Sequence, residues 1–501
     1  MKVFLMYRDR DFDLQKKMPV NDQALTQDLE LNTLFSAMAN GDEFLFKVIA
    51  RGILCSENDL DIIQYRQSIL KDCLKNPSII KDIYALTIES IEREKKTYFF
   101  SFSKYPSSIL YSAVGLLQIF VDILMKLRTI IDAHVKKFES EGFLSLFAML
   151  KKELRDEYFA IVQNQLKELK FRDGVLMSVE LGKGNEGVNY ILRKLHKKKQ
   201  GWIKRIFSWK SPVLSFSINP RDEGGARILS ELSDRGINLA ANALAQSSDH
   251  IRNFLTALRT ELAFYIGCLN LYERLAQMEA PIAFPIPMPA SDRNHSFKGL
   301  YDVCLSLTVK QKIVGNDVNA DNKNVAIITG ANQGGKSTFL RSIGLAQLMM
   351  QSGMFVAAAY FCSNVCEGLF THYKREEDAA MNSGKLDEEL SRMSGVVDNV
   401  KANSLVLFNE SFAATNEREG SEIARQIISA LNEKRIKIFF VTHLYEFTRD
   451  FYDEKRREMI FLRAERQDDG GRTFKIIEGN PLQTSYGEDL YHGIFGKENT
   501  I

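Results

Sequence analysis

Hydrophobic positions in the first part of the chain recur every three or four residues, which is the spacing of one face of an α-helix. This pattern predicts amphipathic helices over residues 59–76 and 143–171, the second about eight turns long and suited to a long helix or an antiparallel arm. Residues 236–278 contain no proline and predict a long connecting helix. That helix should end at 279–291, which holds four of the chain's ten prolines.

The pattern changes after the prolines, where short β-rich runs alternate with helical segments. The runs are VAIITG (325–330), SLVLFNE (404–410) and KIFFVTH (437–443). Alternation of this kind predicts an α/β nucleotide-binding domain with a largely parallel sheet. We therefore predict a mixed fold with two domains, a mostly α-helical region over 1–285 and an α/β P-loop domain over 286–501.

Composition narrows the class of protein further. The 501 residues are 45% hydrophobic and 26% charged, which permits sizeable cores and argues against global disorder. The net charge is only +2, so any affinity for nucleic acid must come from a local basic face. Six scattered cysteines do not form the pattern of a disulfide framework, and reduced thiols are expected.

The sequence predicts neither a signal peptide nor a membrane-spanning helix. The N-terminus becomes charged after seven residues, too early for a signal peptide. The apolar stretch 113–127 contains Gln118, Asp122 and Lys126, which is typical of a core helix and not of a membrane span. We expect a cytoplasmic protein.

The stretch TGANQGGKST (329–338) follows a buried strand and precedes a helical pattern. Its spacing fits a phosphate-binding loop, in which backbone N–H groups and a helix N-terminus attract phosphate. Lys336 would reach the outer phosphates and Ser337 would sit on Mg²⁺. A chance glycine turn is the alternative, which the ordered strand, loop and helix disfavour. The predicted nucleotide-binding residues are Gly330, Ala331, Asn332, Gln333, Gly334, Gly335, Lys336, Ser337 and Thr338.

Two further strands end in polar residues suited to ATP hydrolysis. Asn409 and Glu410 follow the strand that begins at 404, and Glu410 suits a general base that orients water. Asn409 stands where a metal-associated aspartate is normally expected, and its amide oxygen brings no charge to the cation. His443 ends the strand that begins at 437 and is predicted to sense the γ-phosphate; a purely structural role is the alternative.

Four runs follow one another in this half: TGANQGGKSTFLRSIG, MFVAAAYF, LFNESFAATNEREGSEIA and FFVTHLYEF. Together they resemble the ATPase domain of the MutS DNA mismatch-repair family, which is of the ABC type. The helical half resembles the family's core and lever region, especially ILCSENDLDIIQYRQSIL (53–70). The resemblance implies ATP and Mg²⁺ as cofactors, DNA as partner and a homodimer through the ATPase domains. It also implies metal contacts from Ser337 and Asn409, a Thr442–His443 pair, and a nucleotide-base contact from Asn316.

Three departures from the family pattern qualify these expectations. The Phe-x-Glu wedge that reads mismatches is not found, since Phe138 and Glu139 sit in a helical stretch, so weak or absent mismatch discrimination is expected. Asn409 replaces aspartate. The family's trans-acting signature serine falls near Leu386, with Ser383 and Gly384 as substitutes in an acidic run that is either an exposed loop or a subunit interface.

A basic stretch covers residues 193–210, with eight Lys/Arg in eighteen residues and both tryptophans of the chain. Phosphate contacts with aromatic packing would suit a DNA-facing loop at the end of a helical arm. A solvated loop kept soluble by its lysines is the alternative, and the sequence leaves both open. The nucleic-acid candidates are Arg193, Lys194, Lys197, Lys198, Lys199, Lys204 and Arg205.

Two functional hypotheses follow. The first is a MutS-like ATPase that couples ATP hydrolysis to DNA binding or clamping as a dimer, in DNA repair or recombination. The second is a nucleotide-dependent structural switch with slow hydrolysis, acting on RNA, the ribosome or a protein partner. Glu410 and His443 favour the first hypothesis, whereas Asn409 and Leu386 favour the second.

Overall fold

The computed structural model describes residues 1–98, 105–171, 174–194, 217–219, 221–375, 384–467 and 471–481. A helical first part gives way to an α/β second part, as the sequence pattern predicted. The helices are α1 (Asp22–Asp28), α2 (Leu31–Ala39), α3 (Glu43–Leu54), α4 (Leu60–Lys75), α5 (Pro77–Tyr98), α6 (Pro106–His134), α7 (Glu141–Glu153), α8 (Asp156–Glu168), α9 (Glu223–Gln277), α10 (Val303–Val309), α11 (Lys336–Gln351), α12 (Lys385–Asn399), α13 (Glu417–Glu433) and α14 (Tyr445–Asp453). The strands are β1 (Leu176–Leu181), β2 (Gly187–Arg193), β3 (Ile286–Met288), β4 (His295–Leu300), β5 (Asn316–Asn319), β6 (Val325–Thr329), β7 (Tyr360–Asn364), β8 (Leu369–Tyr373), β9 (Leu405–Asn409), β10 (Lys437–Val441), β11 (Met459–Arg466) and β12 (Arg472–Glu478).

Two of the predicted helices are confirmed. Helix α4 occupies the predicted segment 59–76, and the side chain of Asp59 caps it by accepting a hydrogen bond from the Asp61 N–H. Helix α9 is the predicted connecting helix and is 55 residues long. It ends just before Glu279, whose φ of 51° is left-handed, and before the proline-rich segment.

Of the two alternatives predicted for 143–171, one continuous long helix is wrong. Helix α7 ends at Glu153 and α8 begins at Asp156. The guanidinium group of Arg128, on α6, donates a 2.6 Å hydrogen bond to the carbonyl oxygen of Leu154 and a longer one to Lys151. This donor satisfies the carbonyls at the end of α7, so the break is stabilised by a residue distant in sequence.

The chain forms two compact units, each made of separate segments. The first comprises Met1–Val3, Lys81–Lys136 and Leu144–Arg259. It contains α6, α8, the antiparallel hairpin of β1 and β2, and the first part of α9. Among the described residues α6 is the helix long and apolar enough to cross a membrane, but half of its most apolar window is buried, as in a core helix.

The second unit comprises Phe4–Ile80, Lys137–Phe143 and Thr260–Ile501. Its N-terminal segment is tied to α9 by Glu261, which has no exposed surface. The Glu261 carboxylate accepts hydrogen bonds from the backbone N–H groups of Leu5, Met6 and Phe12. Burial nevertheless raises the pKa of Glu261 to about 7. The domain boundary near 285 remains a prediction.

Six strands of the second unit form a sheet in the order β12-β11-β6-β10-β9-β8. All neighbours are parallel except β11 and β12, so the largely parallel sheet is confirmed. Strands β6 and β9 are apolar and almost fully buried, as expected of a sheet covered on both faces. The register aligns Ile328 and Asn409 with Val441, so the carboxyl ends of β6, β9 and β10 meet at one edge.

Candidate nucleotide-binding and hydrolysis site

The phosphate-loop sequence connects the end of β6 to the first turn of α11, as predicted. Gly330 and Gly335 have left-handed φ values of 117° and 86°. A Cβ atom on Gly330 would lie 2.9 Å from the backbone nitrogen of Ala464, so the loop requires glycine there for both conformation and space. Helix α11 begins at Lys336 with its free N–H groups facing the loop, an arrangement that attracts anions.

The side chain of Lys336 is folded against the loop that precedes it. Its Nζ atom donates hydrogen bonds of 2.9 Å and 2.8 Å to the carbonyl oxygens of Gly330 and Ala331. Burial lowers the pKa of Lys336 to about 8, while the nearby Glu410 carboxylate opposes that change. Neutral carbonyl groups therefore hold the ammonium group at the loop. When phosphate binds, its charged oxygens would replace these weaker acceptors.

The two residues predicted to contact a metal ion lie side by side. The Ser337 hydroxyl donates a 2.9 Å hydrogen bond to the Oδ1 atom of Asn409. Both side chains present oxygen, the donor atom that Mg²⁺ prefers, so they fit a cation bound together with phosphate. The pair carries no negative charge, so the phosphates would supply most of the attraction.

The predicted general base and the predicted γ-phosphate sensor also meet. The Nε2 atom of His443 lies 3.2 Å from Oε1 of Glu410, and the carboxylate accepts from the ring N–H. This hydrogen bond is the main cause that lowers the pKa of Glu410 below its usual value. Glu410 is thus ionised and oriented, as a water-positioning carboxylate must be.

Glu410 lies in a strained stretch of backbone directly after β9. Glu410 and Phe412 have φ values of 54° and 65°, in the left-handed region that residues other than glycine rarely adopt. Each such residue costs roughly 1–3 kcal/mol and persists only where its surroundings hold it. Strain of this kind is concentrated at functional sites.

A cavity of about 540 Å³ opens beside the phosphate loop. Its volume is within the range of small-molecule sites, and it joins the loop to apolar side chains from α10 and the segment before β5. The predicted base-contact residue Asn316 lines it, with its Oδ1 already accepting a 2.7 Å hydrogen bond from the Ile476 N–H. Other lining residues include Leu300, Tyr301, Asp302, Leu305, Val309, Lys312, Ile313 and Val314.

Two residues at this site were not predicted from the sequence. Phe474, on β12, lines the cavity and is 50% exposed, which leaves an aromatic surface available to a ligand. Arg472, on the same strand, donates a 3.1 Å hydrogen bond from Nη1 to Oε1 of the loop residue Gln333. No spacing motif marks either residue, because the hairpin of β11 and β12 brings them to the loop. An aromatic residue in a short β-rich run after His443, TFKII (473–477), was the available signal.

The departures from the family pattern have structural counterparts. Gly384 is the residue before the first turn of α12, and Leu386 is half-buried within that turn, whereas Ser383 lies outside the described residues. Phe138 and Glu139 lie between α6 and α7 along the chain, not in a helix as expected from the sequence. Phe138 is buried against Phe143, with ring centroids 4.8 Å apart, so it is a core side chain and not an exposed wedge.

The nucleic-acid candidates are only partly described. Arg193 ends β2 and donates a 2.9 Å hydrogen bond to the Ser178 hydroxyl, and Lys194 forms an exposed ion pair with Glu168. The other candidates, Lys197, Lys198, Lys199, Lys204 and Arg205, lie outside the described residues.

Comparison with known proteins identifies the family. The family model for the MutS2 N-terminal domain matches residues 58–278, and the model for MutS domain V matches residues 326–492. The chain belongs to the MutS family. MutS domain V is an ABC-type ATPase domain, so the resemblance, the fold class and the ATPase class predicted from the sequence are confirmed. Neither matching model describes a mismatch-recognition domain.

Curated MutS-family proteins are similar over part of the chain. The DNA mismatch repair protein MutS of Leuconostoc citreum is 29% identical over 243 residues, covering 48% of this chain and 28% of that protein. The MutS of Clostridium perfringens is 32% identical over 266 residues, covering 52% and 29%. MutS protein homolog 4 of Mus musculus is 30% identical over 149 residues, covering 30% and 16%. The chain thus matches less than a third of the length of each relative.

Proposed function

We propose that this protein binds and hydrolyses ATP with Mg²⁺ and couples the cycle to DNA binding or clamping as a homodimer. DNA repair or recombination in the cytoplasm is the proposed setting, with no membrane partner. The observation that carries the proposal is the convergence of Lys336, the Ser337–Asn409 pair and the Glu410–His443 pair at one edge of the sheet. A phosphate-binding group, a metal-binding pair and a water-orienting pair are the parts that phosphoryl transfer to water requires.

Each part has a distinct task in hydrolysis. The loop N–H groups and Lys336 bind the phosphates and stabilise the charge that moves onto the leaving oxygen. Ser337 and Asn409 would hold Mg²⁺, which neutralises phosphate charge when bound. Glu410 accepts a hydrogen bond from the attacking water and takes its proton, while His443 holds the carboxylate in place.

The cavity supports the choice of a nucleotide over free phosphate. Phe474 and Asn316 line it together with the phosphate loop, and the half-exposed aromatic ring of Phe474 suits stacking on a purine. We propose that the base lies in this part of the cavity.

The DNA-binding part of the proposal depends on the basic stretch and on the family. Arg193 and Lys194 begin this stretch at the end of the β1–β2 hairpin. Contacts to phosphates alone would bind DNA without reading its sequence. The relatives from Leuconostoc citreum and Clostridium perfringens are DNA mismatch repair proteins by name, and we propose for this chain DNA binding without mismatch selectivity.

The neutral Asn409 favours a second candidate function. A metal site with no acidic residue binds Mg²⁺ more weakly, which would slow turnover. A nucleotide-dependent switch acting on RNA, the ribosome or a protein partner would tolerate slow hydrolysis, and the half-buried Leu386 at the predicted signature position agrees with it.

One pair of measurements tests these alternatives. Steady-state ATPase activity is measured with and without duplex DNA, and binding is compared among homoduplex, mismatched and branched DNA and RNA. Stimulation by DNA with similar affinity for matched and mismatched duplex supports the proposal. Preferential binding to RNA, or turnover that DNA leaves unchanged, favours the switch. A several-fold preference for a mismatch would contradict the expectation drawn from the missing wedge.

A further inference from the structure

The strained stretch after Glu410 is held by side chains outside the site described above. Glu389, on α12, is buried with 4% exposed, and its Oε1 atom accepts a 2.7 Å hydrogen bond from the Phe412 N–H. Glu389 therefore binds the backbone two residues after Glu410 through a hydrogen bond that only an acceptor at this position can supply.

His372, on β8, holds the same stretch from the other side. Its Nδ1 atom lies 2.7 Å from the Ser411 hydroxyl, and its ring stacks on Phe412 with centroids 5.4 Å apart and planes 20° apart. The Nε2 atom lies 3.0 Å from the backbone carbonyl oxygen of Glu389, which can only accept. In the neutral ring Nε2 therefore carries the hydrogen, and Nδ1 and the backbone carbonyl oxygen of His372, which lies 2.6 Å from the Ser411 hydroxyl, are the two acceptors that this hydroxyl faces.

These contacts restrict the backbone conformation of Glu410, because they hold the residues that follow it. Ser411 follows Glu410 directly, and both Ser411 and Phe412 have no exposed surface. On the other side, the Glu410 N–H donates a 2.8 Å hydrogen bond to the Val441 carbonyl. The left-handed conformations of Glu410 and Phe412 therefore persist between a backbone anchor before them and a side-chain anchor after them.

We propose that Glu389 and His372 are positioning residues for ATP hydrolysis, which hold Ser411 and Phe412 and thereby keep the Glu410 carboxylate beside His443. The inference rests on the proposed role of Glu410 as general base. It links hydrolysis to α12, whose displacement would release Phe412 and misplace the base without removing any phosphate-binding group. A small misplacement of a reacting group is enough to lower a rate substantially.

The test compares four variants of the full chain. Glu389→Ala removes the acceptor, and we expect kcat to fall at least about tenfold while the affinity for a fluorescent ATP analogue changes less than about twofold. Glu389→Gln keeps an oxygen acceptor for Phe412 and should restore most of kcat. Ser411→Ala removes the hydroxyl bound by His372 and should also lower kcat. Glu388→Ala, one residue earlier on α12, is the matched control and should behave as the parent.

Glu410→Gln, measured in parallel, distinguishes failure of the proposed function from failure of the positioning role. Parent-like turnover in Glu410→Gln would overturn the proposed function itself. If Glu410→Gln is inactive but Glu389→Ala and Ser411→Ala keep the parent kcat, only the positioning role is wrong. Equal loss of nucleotide affinity and kcat in both variants would show a purely structural role. Should Glu389→Ala not fold, as judged by thermal unfolding, Ser411→Ala decides.

Discussion

The Ser337 hydroxyl donates a 2.9 Å hydrogen bond to the amide oxygen of Asn409, although the two residues are 72 positions apart in the chain. The phosphate loop and the strand that ends before Glu410 are thus joined where a Mg²⁺ ion would bind. In this pair the asparagine contributes an oxygen without a charge. Metal affinity at the site should therefore depend more on the nucleotide than it would with aspartate.

Replacing Asn409 by aspartate tests this dependence. A carboxylate beside the cation adds a favourable charge–charge interaction, so Asn409→Asp should lower the Mg²⁺ concentration for half-maximal ATPase activity. Titration of Mg²⁺ at fixed ATP measures it, with Asn409→Ala as the variant that should raise the midpoint. An unchanged midpoint in Asn409→Asp would show that residue 409 does not approach the metal.

Glu410→Gln should separate nucleotide binding from hydrolysis. Glutamine keeps the shape and a hydrogen-bonding oxygen but removes the base, so turnover should fall by about 10²–10⁴ while ATP still binds. The ATP-bound conformation should then accumulate, because its ligand is no longer consumed. Native mass spectrometry or small-angle scattering with Mg-ATP should show more dimer, or a more compact dimer, than with ADP. Parent-like turnover without nucleotide-dependent assembly would refute the composite-site mechanism.

Lys336 predicts how nucleotide affinity varies with pH. Its pKa is about 8 in the free protein, and bound phosphate would raise that value. Above pH 8 the free protein loses the proton that binding needs, so affinity should be greatest below pH 8 and fall as pH rises, by at most about tenfold per pH unit. Dissociation constants for a fluorescent ATP analogue between about pH 7 and 9.5 measure the slope.

Two Lys336 variants serve as controls for that measurement. Lys336→Arg stays charged and should show a flatter pH profile. Lys336→Ala should bind nucleotide weakly at every pH while its helical content is retained, because only phosphate contacts are lost. A folded Lys336→Ala variant with normal turnover would mean that this loop is not the nucleotide site.

The raised pKa of Glu261 predicts that the free energy of unfolding depends on pH. Its pKa is about 7 in the folded protein and about 4.5 in the unfolded chain, so between these values the folded state binds more protons. The stabilisation is complete below about pH 4.5 and is lost as pH rises through about 7, by an amount on the order of a few kcal/mol. Urea unfolding at several pH values measures it. The decrease in the free energy of unfolding between about pH 4.5 and 7 should be absent in Glu261→Gln. The same pH dependence in parent and variant would contradict a raised pKa for Glu261.

The basic stretch predicts a salt effect on DNA binding. If its lysines contact phosphates, affinity should fall steeply with salt, and neutralising Lys197, Lys198 and Lys199 together should reduce the slope of log K against log salt by up to about three. Fluorescence anisotropy with a labelled duplex measures both slopes. Equal slopes would favour the alternative of a solvated loop.

Local sequence determined much of the site. An apolar run, a glycine-rich loop and a helix start lie within residues 325–351, so neighbours in the chain largely set the phosphate loop by steric and hydrogen-bonding rules. Glu410 and His443 were predictable because the carboxyl ends of parallel strands meet at one edge, and apolar runs of this length predict buried strands. The family resemblance added their roles.

Tertiary structure decided the features that depend on side chains reaching across the fold. Arg128, on α6, donates a hydrogen bond to the Leu154 carbonyl oxygen just after α7 and so stabilises the break between α7 and α8. The periodicity of 143–171 could not reveal this contact. Phe474 reaches the phosphate loop only because β12 pairs with β11 beside β6. Glu389 and His372 hold the backbone after Glu410 from two separate elements. A hydrogen bond or a packed ring depends on positions known to within an ångström, and strand register and helix placement set those positions only once the whole chain has folded.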